Sequence, residues 1–391
     1  MAALDAVLRN TLEKIRAADL YRTRRTVEGF PDAGSGAEVV VDGEPRVNFC
    51  GNDYLGLSRH PVVRAALIDA AQKFGVGSGA SHLVTGHSHE HHALEEELAA
   101  FVARPRALLF STGYMANLAA LSALARPGDL LAEDKLNHAS LLDASFVSGG
   151  RLKRYTHASS AALDRLLADS AYERAVVATD GVFSMDGDIA PLRELAEVCR
   201  RRQAWLVVDD AHGLGVVGAR GRGSLEETAQ GMDDVPVLVG TLGKAFGTFG
   251  AFIAGSEDLI EFLIQRARTY IFTTALPPAV AAATRAALRL ADTESWRRER
   301  LRMLIERFRS GALQLGLTLT DSRTPIQAVV LGEPRRALDA SAALYARGIW
   351  IAAIRPPTVP QGTSRLRITL SAVHSDEQVE RLLAALAEAA R

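Results

Sequence analysis

The sequence predicts an α/β protein in two parts: a large domain built on a mostly parallel sheet, and a smaller α+β C-terminal domain. Three observations carry this. Short apolar runs recur through the middle of the chain with helix-period segments between them, the alternation of a parallel sheet covered by helices on both faces. That alternation stops at Pro277-Pro278, beyond which long helices and then a fresh set of strands follow. With 391 residues, 48% of them hydrophobic, the chain can bury more than one core.

Taken in order, Met1 to Tyr21 interleaves Asp5, Arg9, Glu13, Lys14 and Asp19 with apolar residues. This is an amphipathic helix without the unbroken apolar core of a secretory signal. Glu38 to Asp42 and Arg46 to Phe49 read as short strands joined at the turn Asp42-Gly43-Glu44. Buried strands are expected at Ala107 to Phe110, Asp129 to Ala132, Ala175 to Thr179, Trp205 to Val208 and Val237 to Val239. Helical patterns lie between several of them, at Tyr114 to Leu124, Ala161 to Leu167 and Leu192 to Arg202. Proline preset for a helix start then precedes an Ala-rich helix and a charged one from Ser295 to Leu315. The C-terminal strands are Gln327 to Leu331, Ile349 to Ile354 and Arg365 to Leu370, separated by helices Arg336 to Ala346 and Asp376 to Ala389. The expected divisions are 1–45, 46–285 and 286–391.

Composition excludes several function classes. A formal net charge of −1 leaves no electrostatic footprint for nucleic acid, and the clusters at Arg22 to Arg25, Arg200 to Arg202 and Arg297 to Arg302 fall on helix-like stretches. Cys50 and Cys199 stand far apart, without the spacing of a disulfide framework or zinc knuckle. No apolar run approaches the roughly 20 residues of a membrane span. A cytoplasmic protein is expected.

Chemistry concentrates at strand ends, where ligands bind in open α/β sheets. Trp205 to Val208 runs into Asp209-Asp210-Ala211-His212-Gly213, and a later strand into Gly240-Thr241-Leu242-Gly243-Lys244-Ala245-Phe246-Gly247. A lysine there can attack a carbonyl if its neutral form is favoured, and a nearby aspartate can hold a pyridine nitrogen protonated. Gly213 to Gly218 formally matches a dinucleotide fingerprint, but Gly221 and Gly223 follow, which opposes the helix that motif requires. Gly243-Lys244 lacks the first glycine and the hydroxyl of a phosphate loop, since Leu238 and Ala245 stand there. A surface lysine is the plain alternative. Ser111-Thr112-Gly113-Tyr114 lies between a strand and a helix, so the Gly113 and Tyr114 amides can cradle a phosphate. His138, in Asn137-His138-Ala139-Ser140, and Ser184, in Gly181 to Asp188, follow two further strands.

These motifs occur in order, together with Asn52-Asp53-Tyr54-Leu55-Gly56-Leu57. From about Arg22 to its end the chain resembles the α-oxoamine synthases, a family of fold-type I pyridoxal-phosphate enzymes. The resemblance implies an aspartate aminotransferase-like transferase fold, with 46–285 as the cofactor-binding domain. It also implies catalytic roles for Lys244, His138, Asp209 and His212. Lys244 would anchor the cofactor covalently, Asp209 would pair with its pyridine nitrogen and His138 would stack on its ring. Ser184 and His212 would reach the ring oxygen, while Thr241 and the Gly113 and Tyr114 amides would hold the phosphate. Thr273 and Thr274 match a hydroxyl pair contributed by the neighbouring subunit of a homodimer. Arg355 corresponds to the carboxylate clamp, with Asn52 near it, and Thr358 and Arg22 would contact substrate. Arg24 or Arg25 takes the place of Arg22 under a small shift of register. The tail Ala353 to Pro360 resembles the branch that joins L-alanine to a pimeloyl thioester, on CoA or an acyl carrier protein, in biotin biosynthesis. Rival readings are a sister synthase using glycine with acetyl-CoA or succinyl-CoA, and a cofactor-binding regulator or carrier without turnover.

His87-Ser88-His89-Glu90-His91-His92, with His82 nearby, is dense enough in imidazole for zinc or nickel. Glu90 to Phe101 reads as an amphipathic helix with Ser88 as its start signal, and no acidic or thiolate ligand set stands out at metal spacing. No metal is expected.

Overall fold

The computed structural model describes residues 2–31 and 36–390, which fall into two compact units. The larger holds 52–184 and 188–299; the smaller holds the chain up to residue 51, then 185–187 and 300 onward. The strands are β1 (Val27–Gly29), β2 (Glu38–Val41), β3 (Glu44–Asn48), β4 (Arg106–Phe110), β5 (Leu130–Asp134), β6 (Arg151–Tyr155), β7 (Ala175–Asp180), β8 (Trp205–Asp209), β9 (Val237–Thr241), β10 (Ala251–Gly255), β11 (Ile326–Gly332), β12 (Ile349–Trp350), β13 (Ala352–Ile354) and β14 (Ser364–Thr369). The helices are α1 (Ala2–Ala17), α2 (Pro61–Phe74), α3 (His89–Phe101), α4 (Gly113–Leu124), α5 (Ala139–Ser148), α6 (Ser160–Ala168), α7 (Leu192–Arg202), α8 (Ser224–Glu227), α9 (Glu257–Arg266), α10 (Arg268–Ile271), α11 (Pro278–Thr293), α12 (Trp296–Gln314), α13 (Pro334–Ala346) and α14 (Asp376–Ala389).

In the larger unit one sheet runs β4-β10-β9-β8-β7-β5-β6. Every neighbouring pair is parallel except the two made by β10. β10 returns directly from β9 through 242–250, a link that skips the helical crossover usual between parallel neighbours. β5, β7 and β10 are buried along their whole length, which is why central strands read as unbroken apolar runs. β6 escaped the sequence reading for the opposite reason. As Arg-Leu-Lys-Arg-Tyr at the sheet edge it is mostly solvent-facing, and its charges discourage pairing with another chain. β10 was missed because its short run follows immediately on the glycine-rich lysine segment.

Helix α4 starts at the N-cap Thr112, whose Oγ1 accepts the Met115 N–H at 3.2 Å. Ala116, Ala119 and Ala120 are inaccessible and share one core with Leu108, Val207 and Val239. Small side chains let the helix lie close to the sheet. Each buried Leu or Val of this core contributes about 2 kcal/mol, and replacing Ala120 by leucine would overpack it at about 1–3 kcal/mol.

The smaller unit has two sheets, β1-β2-β3-β12 and β11-β14-β13. β12 pairs in parallel with β3, whereas β13 pairs antiparallel with β14. The single strand expected over Ile349 to Ile354 is therefore two, changing partners at Ile351. α13 packs on the second sheet and α14 on α13, and Ser375 and Gln378 form a reciprocal cap at the start of α14.

The division of the chain differs from the expected boundaries. Because β12 pairs with β3, the N-terminal strands belong with the C-terminal unit. Because α11 packs on α2 and α3, residues to 299 stay with the larger one. Met185–Gly187 joins the smaller unit, where Asp186 pairs with Arg365 and the Gly187 carbonyl accepts Ser322 Oγ and Thr324 Oγ1, both at 3.0 Å. Gly187 has φ +77°, and a Cβ there would lie 2.4 Å from Ile326 O, so glycine is required. No helix among the described residues is long and apolar enough to cross a membrane.

Candidate active site

β5, β7, β8 and β9 run in one direction, and β4 shares it because β10 opposes both of its neighbours. Their carboxyl ends, and with them Ser111 to Tyr114, His138, Ser184, Asp209 to His212 and Thr241 to Lys244, therefore line one edge of the sheet. Lys244 Nζ lies 2.8 Å from His212 Nε2, and His212 Nδ1 lies 2.7 Å from the Tyr54 hydroxyl. Tyr54 in turn donates to Asn52 Oδ1 at 3.1 Å. With Nε2 accepting from the lysine, the ring carries its proton on Nδ1 and donates it to Tyr54.

A second chain of hydrogen bonds starts at Asp209. This buried carboxylate accepts Asn117 Nδ2 at 2.6 Å and the Ala211 N–H at 3.0 Å. Asn117 also donates to Ser140 Oγ at 2.8 Å, which lies 2.8 Å from His138 Nδ1. His138 caps α5, and its own N–H donates to Asp180 Oδ2 at 2.7 Å. Solvent reaches His138, yet its surroundings desolvate it and push its imidazole down, with the Asp209 charge acting against this and the Lys244 charge with it. Burial, then the Asp209 charge, drives the Asp180 carboxyl well above its ordinary range. His138, Asp180, Asp209 and Lys244 thus sense one another as one electrostatic group.

The neighbouring Asp210 has a different place. It is fully buried, burial lifts it to about 7, and Oδ2 accepts the Ser224 N–H at 2.7 Å. A Cβ on Gly213 or Gly223 would fall 2.1 or 1.8 Å from its oxygens, so these glycines make room for a carboxyl group. The 213–223 segment forms turns and no helix, contrary to a dinucleotide site.

Pyridoxal phosphate fits these residues. Among the described residues no lysine or arginine pairs with the buried Asp209, leaving its charge for a cationic ring nitrogen. A Cβ on Gly113 would meet nothing within 4 Å, so space opens at the first turn of α4, where helix N–H groups lack intrahelical acceptors. Thr241 Oγ1 donates to Gly250 O at 3.1 Å, and Ser184 stands in the turn after β7. Thr273 is half-buried and Thr274 exposed, the latter bridged through its backbone to Ser81.

In the smaller unit Arg22, Arg355 and Thr358 line one cavity of about 520 Å³. Arg355 donates to the carbonyls of Asp19 and Tyr21. Burial, then the Arg22 charge, lowers its affinity for a proton, so two cations face the cavity and suit an anion. Arg25 also lines it but is paired with Asp42 at 2.7 Å, whereas Arg24 lies outside its lining.

Four residues of these networks went unassigned in the sequence reading. Tyr54 and Ser140 lay inside quoted motifs, and Asp180 stands directly before one. Asn117 could have been found as the one amide in the apolar stretch Met115 to Leu121, a buried polar group that must be partnered.

The model of the aminotransferase class I and II family matches residues 44–386. An 8-amino-7-oxononanoate synthase of Methylococcus capsulatus is 63% identical over 380 residues, covering 97% of each chain. One from Saccharophagus degradans is 56% identical over 391 residues, all of this chain and 98% of that one. The chain belongs to the α-oxoamine synthases of this family. A serine palmitoyltransferase of S. paucimobilis, solved with a bound PLP-myriocin aldimine, superposes with a TM-score of 0.92 at 32% identity over 99% of this α-oxoamine synthase and 97% of that chain. The synthase is a pyridoxal-phosphate enzyme of fold type I.

The histidine cluster packs at the start of α3. His91 lies within hydrogen-bonding distance of the Ser88 N–H through Nδ1 (3.0 Å) and of Leu276 O through Nε2 (2.6 Å), making the cap that begins the helix one residue before the expected start. His82 stacks on Tyr270, and burial holds its imidazole down at about 3.

Proposed function

We propose that this α-oxoamine synthase condenses L-alanine with a pimeloyl thioester, carried by CoA or by an acyl carrier protein, to give 8-amino-7-oxononanoate, carbon dioxide and free thiol. The observation that carries the reading is the 63% identity, over 97% of both chains, to a synthase named for that product. The enzyme acts in the cytoplasm in biotin biosynthesis.

When bound, pyridoxal phosphate supplies a ring that withdraws electrons from the amino acid's Cα. Lys244 anchors it, and the freed amine takes the Cα proton; His212 Nε2, 2.8 Å away, accepts a hydrogen bond from the amine and orients it. Asp209 keeps the ring nitrogen protonated, and Asn117 and the Ala211 N–H hold that carboxylate in place. His138 covers the ring, Ser184 and His212 meet its oxygen, and Thr241 with the Gly113 and Tyr114 amides binds the phosphate. Arg355 takes the amino-acid carboxylate, with Asn52, Arg22 and Thr358 as further substrate contacts. The new bond joins alanine Cα to the acyl carbon, the carbon–sulfur bond breaks, the carboxylate leaves as carbon dioxide, and a proton returns to Cα.

The active unit in this reading is a homodimer in which Thr273 and Thr274 serve the partner's cofactor. Support comes from Phe272, Val76 and Val84, left 69%, 88% and 74% exposed, apolar surface that a second copy would cover.

The test is a comparison of kcat/KM for matched substrate pairs. Each buried methylene contributes about 0.8 kcal/mol, so a pimeloyl chain gains several kcal/mol over an acetyl group. Selection on the amino acid is weaker, roughly 10-fold to 200-fold for one methyl. Preference for glycine with acetyl-CoA or succinyl-CoA would place the enzyme with the sister synthases.

A further inference from the structure

We propose that His87, His92 and Glu95 form a zinc site at the start of α3, apart from the cofactor residues. His92 and Glu95 stand three apart on α3 and so share one face, and His87 comes from the loop that leads into the helix. One nitrogen of each imidazole and one carboxylate oxygen all lie within 4.8 Å of one another. Zinc holds such ligands at about 2.0–2.2 Å, which puts tetrahedral donors roughly 3.3 Å apart. The remaining closure falls to the side chains able to move. His92 is 65% exposed and His87 28%, whereas Glu95 is fixed, its Oε1 accepting the Leu109 N–H at 2.9 Å.

Glu95 supplies the acidic ligand that the sequence did not single out. Its side chain is only 14% exposed, and its sole ion-pair partner among the described residues is His87, at 4.0 Å from Oε2. A buried carboxylate without a close cation is costly, and a divalent ion between these three groups removes that cost. His87 is also prepared for the role. Bound through Nε2, it carries its proton on Nδ1, which faces His82 Nδ1 at 2.9 Å. An acceptor for the second ring nitrogen is the usual support of a metal-bound histidine. The other cluster, His82 with His87 and His91, is less suited, because both His91 nitrogens are engaged by Ser88 and Leu276.

Two imidazoles and a carboxylate with a fourth position open to water match zinc and exclude magnesium and calcium, which take oxygen ligands. The ion would tie His87 and the π-helical turn His82–Gly86 before it to α3 and raise the melting temperature by mass action.

The experiment strips the holoenzyme with a chelator and titrates it with zinc chloride by calorimetry, with elemental analysis for stoichiometry. One zinc per chain is expected, unaffected by excess magnesium, together with a higher melting temperature. Binding should weaken at least 10-fold in His92→Asn and in His87→Asn, neither of which removes a core side chain. Unchanged circular dichroism and cofactor absorbance confirm that these variants fold. Cobalt provides a second readout, with visible d–d bands in the parent and none in His92→Asn. Absence of stoichiometric zinc binding overturns the proposal, and so does binding that persists at equal affinity in the His87→Asn, His92→Asn double variant.

Discussion

His157 should make stability fall with rising pH in a range where few other groups titrate. Its ring lies between two carboxylates, Nδ1 at 2.9 Å from Asp134 and Nε2 at 3.0 Å from Asp188, and edge-on to Phe183 at 4.4 Å. Both nitrogens face acceptors, so the folded protein holds the imidazolium. Burial pushes the group down, but the hydrogen bonds and charges of Asp134 and Asp188 outweigh it and hold it at about 10. The folded value exceeds the unfolded value of 6.5, so the stabilisation is complete below pH 6.5 and is lost as pH rises through about 10. At 1.36 kcal/mol per unit the ceiling is about 5 kcal/mol. With 28% of the side chain exposed, modest screening applies, and about 3–4 kcal/mol is expected. His157→Gln keeps one donor and removes the charge. Urea denaturation of parent and variant at pH 6, 8 and 10 measures the effect: a large gap at pH 6 should close toward pH 10. A gap that stays constant with pH would refute the imidazolium assignment.

Three further outcomes are expected. Borohydride reduction followed by peptide mapping should find the pyridoxyl group on Lys244, and Lys244→Ala should abolish turnover; a label on another lysine contradicts this. Asp209→Asn should retain cofactor while losing about 100-fold or more in kcat, because an amide cannot hold the ring nitrogen protonated; near-normal turnover argues against the pairing. Mixing Lys244→Ala subunits with an inactive Thr274 variant should restore part of the activity, and verified heterodimers without activity would place the whole site in one chain.

Legibility in the sequence followed burial. β5, β7 and β8 carry apolar residues on both faces and stood out, whereas β6 and the switch at Ile351 depend on which strand lies alongside, which no local pattern encodes. Candidate site residues could be picked out wherever several polar residues cluster after a strand. They could not be where one residue acts alone. His157 looks like any loop histidine until Asp134, at the end of β5, and Asp188, in the loop after β7, are brought to it. Glu95 stands in the run Glu95-Glu96-Glu97, and only the packing distinguishes them: Glu97 pairs with Arg285, Glu96 is exposed, and Glu95 turns inward to Leu109.

Asp209-Asp210 shows how packing separates roles that the sequence leaves equivalent. Adjacent residues at a strand end point to opposite sides, so only one of the two acids can face a given ligand. Asn117, fixed on the buried face of α4, selects Asp209 and connects it to Ser140 and His138. Asp210 turns instead toward Ser224, where Gly213, at φ +88° Gly223, and Gly181, which a Cβ would bring 2.6 Å from Oδ1, leave it room. Three glycines from separate parts of the chain therefore surround Asp210. Gly213 also opens the run that resembled a nucleotide loop, because glycine serves close approach in both settings, to a phosphate in one and to a buried carboxyl group in the other.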